Sequence, residues 1–225
     1  MKHPLAIRLG IVAAAAAVFA LAPPAARADG VTFSVNTNTS SISGSSTYEV
    51  AFLLIDASGS GDANNTVTIN NFAFGGGSPG TVDLTESVGD FTGDLTSTVT
   101  LTDSQVLNSF ASTFTAGSQL SFTVNMTTNP DGSLPLGLAG DQFGFFLLDS
   151  TGTPIPTTNA CGPDDTGECA LLLATVQSDG TLDIQSFSSD VTGPVQVSNT
   201  PEPATLLLLA TGSAFALLRR KRSSL

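Results

Sequence analysis

The segment Asp29–Thr200 contains no lysine, no arginine and no histidine; the sole histidine of the 225-residue chain is His3. With no cation to pair with phosphate, that segment is excluded from nucleic-acid and nucleotide binding. A histidine-activated serine or cysteine nucleophile is excluded as well. The same segment holds 18 of the 19 acidic residues, so its formal charge is −18 against −12 for the whole chain. Tryptophan is absent and tyrosine occurs once, at Tyr48. A two-carboxylate glycosidase needs no histidine, but sugar clefts generally rely on exposed Trp and Tyr platforms. Both a glycosidase and a typical sugar-binding module are therefore disfavoured, and no enzymatic activity is expected.

The ends differ from the body. Lys2 and Arg8 precede an apolar run from Leu9 to Ala22, and Ala26-Arg27-Ala28 supplies small residues two apart before Asp29. This is the three-part order of a secretory signal peptide, residues 1–28, with signal peptidase cutting after Ala28. The run is short of the roughly 20 residues a spanning helix needs, and Pro23-Pro24 would break it. At the other end, Pro201-Glu202-Pro203 is followed by an apolar stretch, Ala204–Leu218, and then by Arg219, Arg220, Lys221 and Arg222. As a helix the stretch would be about 22 Å long, so it spans a bilayer of about 30 Å only if the membrane thins locally or Thr205 and the basic residues snorkel. The basic cluster predicts a cytoplasmic C-terminus and a body held outside the inner membrane.

This order of Pro-Glu-Pro, short apolar helix and terminal Arg cluster resembles the PEP-CTERM sorting signal of Gram-negative bacteria over about the last 25 residues. The resemblance implies recognition by a membrane-embedded exosortase and processing near Pro201, Glu202 and Pro203. It also implies an association with exopolysaccharide and biofilm. The same type of tail is found on some ice-binding proteins. The body is similar in turn to a Phe-rich body of one group of PEP-CTERM proteins, through its Tyr48–Asp56 strand, its Gly/Asn-rich loop, Asn70-Asn71-Phe72 and the Phe145–Asp149 strand. That group carries no agreed activity over to this chain.

Serine and threonine make up 50 of the 172 residues from Asp29 to Thr200, and apolar runs there alternate with period two. Tyr48, Val50, Phe52 and Leu54 alternate with Glu49, Ala51, Leu53 and Ile55; both sets are largely apolar, which predicts a central strand. Val67, Ile69, Asn71 and Ala73 mark a second strand. Leu120, Phe122, Val124 and Met126 mark a third, with Ser121, Thr123, Asn125 and Thr127 on its other face. Gln142–Asp149, Ala170–Gln177 and Thr181–Phe187 follow, the last two joined by Ser178-Asp179-Gly180 as a tight hairpin turn. Asp103 with Val106, Leu107 and Phe110 reads equally as a capped short helix or as a strand. Nine or ten strands without a fixed repeat predict an all-β, jelly-roll-like β-sandwich over residues 29–200. The C-terminal 201–225 is expected, from the resemblance, to be a sorting signal with one short transmembrane helix.

Four constellations are candidates for chemistry. Cys161 and Cys169 bracket a Pro/Gly loop in an exported chain and read as a local disulfide, with free thiols as the alternative. Inside that loop Asp165-Thr166-Gly167 matches the aspartic-protease triplet, without the second copy such an enzyme needs. Asp56, Ser58, Ser60 and Asp62 place oxygens at alternate positions with Gly61 sixth, as a calcium loop would, but Val67 stands where a bidentate Glu is expected. Acids capping turns and solvating the surface are the alternative. Thr96, Thr98, Thr100 and Thr102 form a ladder on one strand face, similar to the surfaces of ice-binding proteins, or else an ordinary solvent-facing strand.

The reading is an exported cell-surface or extracellular-matrix protein with a structural or interaction role in exopolysaccharide. Its expected partners are signal peptidase, an exosortase-type membrane peptidase and exopolysaccharide. The alternative is an adhesive or ligand-binding module, ice-binding or calcium-dependent. No cofactor beyond that calcium is expected, and the sorting precursor is expected at the inner membrane before release to the surface.

Overall fold

The computed structural model describes residues 30–46, 48–130, 140–158 and 169–199. They form two six-stranded antiparallel sheets with no α-helix, and the only helical turn is a 3-10 turn at Ser40–Ile42. One sheet runs β12 (Gln196–Asn199), β1 (Val31–Asn38), β8 (Gln119–Met126), β3 (Thr66–Ala73), β6 (Thr98–Thr102) and β5 (Asp90–Gly93). The other runs β11 (Leu182–Ser186), β10 (Leu172–Val176), β9 (Gln142–Leu148), β2 (Tyr48–Ile55), β7 (Leu107–Thr115) and β4 (Ser78–Val82). Strands β1 and β8, β2 and β7, and β3 and β6 pair in nested fashion, as one long hairpin would if wound into two layers.

Period-two patterning explains the layering. Phe33, Val35, Val67, Ile69, Val99, Leu101, Phe122 and Val124 turn inward from the first sheet, and Phe52, Leu54, Phe110, Phe143 and Phe145 from the second. The Phe52 ring lies at the centre, 5.2 Å from Phe122 edge-on and 5.8 Å from Phe145. Edge-to-face contact of this kind adds to what area burial already contributes. As expected for a central strand, β2 lies between β7 and β9. Its second apolar set also finds a partner: Ala51 and Leu53 pack with Ala111, Phe146, Leu148 and Ala170 in a smaller cluster on the outer face.

One open reading is decided and one needs correction. Of helix and strand, the segment from Asp103 takes the strand: Val106 is exposed and β7 begins at Leu107. Pairing of β7 with β2 along Leu107–Phe114 satisfies its backbone, so tertiary pairing overrides the helical spacing. In β3 the alternation fails after Ile69. Asn71 has φ 56°, and the register with β8 shifts between Asn70 and Ala73. This bulge exposes Asn71 and Ala73 and aims Phe72 at Phe52 and Phe122 instead.

The acids serve the turns. In Asp83-Leu84-Thr85, Asp94-Leu95-Thr96, Asp149-Ser150-Thr151 and Asp179-Gly180-Thr181, the Asp Oδ1 accepts both the N–H and the hydroxyl of the threonine two residues on. These bonds, the threonine hydroxyl first, hold all four carboxyls below the usual range. The expected Asp179-Gly180 hairpin is present: Gly180 has φ 78°, and the Gln177 N–H bonds the Thr181 carbonyl at 2.7 Å.

Candidate functional site

The Asp56–Asp62 loop is built around one carboxylate. Asp56 is buried and accepts the backbone N–H groups of Ser58 at 2.8 Å and Ser60 at 3.0 Å, that of Gly61, and the Ser58 hydroxyl at 2.9 Å. Burial would raise its pKa, but these donors together outweigh burial and hold it below the ordinary value. Asp56, Ser58 and Ser60 converge, while Asp62 turns away to Asn64. Among the described residues no group of three or more His, Cys, Asp or Glu is arranged to hold a metal ion.

Behind this loop, at the same end of the sandwich, sits an acid pair that sequence reasoning missed. Asp103 accepts the Asn65 N–H through both oxygens, at 3.1 and 2.9 Å. Asp141 accepts the Asn65 side-chain amide at 2.6 Å and the Ala57 N–H at 2.8 Å. All three residues are buried. Burial first, then the hydrogen bond and charge of Asp141, push Asp103 up to about 8. Another buried acid, Glu49 on β2, is raised by burial and by the nearby carboxylates of Asp83 and Glu86; its Oε2 has no hydrogen-bond partner. No local pattern marks either site, because the partners lie far apart in the chain.

The threonine ladder occupies a larger surface than one strand. Thr98, Thr100 and Thr102 pair with Asn70, Thr68 and Thr66 of β3. Further on, Thr68 and Asn70 pair with Asn125 and Thr123 of β8, which pair with Thr32 and Ser34 of β1. Ser34 then pairs with Ser198 of β12. Thr96 does not belong to the ladder; its hydroxyl is held in the turn by Asp94. Five strands thus present hydroxyls and amides outward, and the only charged side chain in these rows is Asp90, paired with Thr102 at the β5 edge. Across β12, β1 and β8 the face dips into a depression of about 540 Å³, with Asn71 on its rim. The alternating polar set of β8 and the threonines of β6 were legible in sequence; the part played by β1 and the side-by-side placement of the strands were not.

Several expected site residues lie outside the described residues: Ala26, Ala28, Cys161, the Asp165-Thr166-Gly167 triplet, Pro201, Glu202, Pro203, Arg219, Arg220, Lys221 and Arg222. Cys169 is described and is disulfide-bonded. Among the described residues no helix is long and apolar enough to cross a membrane.

Comparison with known proteins identifies the tail. A family model described as the PEP-CTERM protein-sorting motif matches residues 199–222. No curated protein matches the chain. A solved structure titled "PbXyn10C CBM APO" matches at 13% identity over 78% of this chain and 98% of that one. Its TM-score is 0.15, too low to carry any argument.

Proposed function

We propose that this chain is a non-enzymatic matrix protein of the cell surface, with a structural or interaction role in exopolysaccharide. The observation that carries the reading is the PEP-CTERM motif at residues 199–222, which implies export, a membrane-anchored precursor and sorting by an exosortase. The missing cations of the body support a non-catalytic role. So does the Asp103–Asp141 pair, whose oxygens are spent on each other and on backbone donors in a buried site. The nested strand pairs support reading the sandwich as a jelly roll.

The sorting step offers the test. In this reading Arg219–Arg222 hold the tail in register while Pro201 and Pro203 keep the backbone extended and open to a peptidase. Replacing Glu202 by Ala is expected to leave export intact and to accumulate a membrane-bound precursor. Mass spectrometry of surface material decides the matter. A mature wild-type chain still ending at Leu225 makes the tail a plain anchor and defeats the proposal.

A second reading, calcium-dependent adhesion, draws on the convergence of Asp56, Ser58 and Ser60. Calorimetric titration showing no heat at millimolar calcium retires it.

A further inference from the structure

We propose that the outer face of the first sheet, centred on the depression across β12, β1 and β8, is a docking surface for a neutral polysaccharide chain. The depression of about 540 Å³ is lined by Ser34, Asn36, Asn71, Ser121, Thr123 and Gln196. Its volume falls within the range of ligand sites, about 300–1,000 Å³. Hydroxyls and amides both donate and accept. Their complement is therefore a surface of uncharged groups that also do both, which is the chemistry of a polyol.

Charge selects further. A face without cations, on a body of −18, repels acidic polymers and offers anions no partner. Protein partners are disfavoured by the lack of apolar anchors among its outward side chains. Ice requires a flat, regular array, and the bulge at Asn71 breaks the regularity of β3. That bulge is itself informative. Asn71 sits at φ 56°, a cost Asn tolerates better than most residues, and the kink sets its amide on the rim of the depression. Recognition here rests on hydrogen bonds and shape, so the absence of Trp and the single Tyr do not argue against it.

This inference rests on the matrix-protein reading for the encounter with polymer, but the two fail separately, since sorting is read from the C-terminus and binding from retention. The test is affinity electrophoresis of the full-length chain through gels containing dextran, a mixed-linkage β-glucan or galactomannan, with alginate as the polyanionic control. At least one neutral polymer is expected to retard the chain, and alginate is not. The variant Asn36→Ala/Asn71→Gly/Gln196→Ala removes three amides and leaves Asn71's backbone conformation accessible. It is expected to weaken retention about tenfold, with an unchanged thermal midpoint. Gln185→Ala, on the opposite sheet, is expected to change nothing. Four results overturn the proposal: no retention by any neutral polymer; equal retention of the triple variant; retention by alginate; or, in place of retention, thermal hysteresis or a dimer that the triple variant abolishes.

Discussion

Burial of the Asp103 carboxyl beside Asp141, with Asp62 adding repulsion, pushes its pKa up to about 8 from an ordinary value of 3.8. Glu49 shifts in the same direction, through burial and then repulsion from Asp83 and Glu86. An acid whose folded pKa is raised contributes its stability in full below the unfolded pKa, and loses it as pH rises through the folded one. Stability should therefore fall from about pH 4 to about pH 8, opposite to a protein held by salt-bridged carboxylates. Urea midpoints measured across that window check the slope. Asp103→Asn keeps an acceptor for the Asn65 N–H and a donor for Asp141, and should flatten part of the slope while raising the midpoint at pH 8. An unchanged slope would place the pH dependence at Glu49 instead.

At the scale of the element, Gly61 shows how a loop can carry a metal-like spacing for a different reason. It has φ 69°, and a Cβ there would stand 2.4 Å from the Ser104 carbonyl oxygen. Both the backbone conformation and the approach to the β6–β7 connection require glycine. Gly61→Ala is expected to cost about 1–3 kcal/mol, read as a lower urea midpoint with or without calcium. If the loss appears only when calcium is present, the glycine serves an ion and not the packing. The turns with Asp-x-Thr follow the same logic: four acids that could have been ligands are spent on the threonine two residues later. Strand β7 gives the complementary lesson. Asn108 and Phe110 are buried and Leu107 is nearly half exposed, an order that helical spacing would not produce.

Over the whole molecule the uncompensated charge dominates solution behaviour. The described residues hold no internal cation against their acids, so self-repulsion acts on the folded state throughout. Raising salt from about 0.01 to about 0.5 M shortens the screening length several-fold. The thermal midpoint is expected to rise on the order of 5 °C, measured by circular dichroism at constant pH. A midpoint that does not move would mean that the turn acids are already neutralised locally by their Thr and backbone donors.

What the sequence determined by itself is what depends on neighbours along the chain. The Pro-Glu-Pro, apolar and Arg-rich order of the tail is a linear signal and was matched as one. The inward sets of β2 and β8, the Gly180 turn and the all-β class follow from period two and turn chemistry, since alternate residues of a strand face opposite ways wherever it lies. Tertiary structure decided the rest. Whether Asp103 capped a helix or was buried beside Asp141 depended on β7 finding β2, and on residues 38 positions apart meeting at one end of the sandwich. Whether Asn71 continued a strand or kinked it depended on the register with β8. The polar platform exists only because pairing sets β1, β8, β3 and β6 side by side. A threonine ladder on one strand becomes a surface when its neighbours are known, and pairing partners distant in sequence leave no local trace.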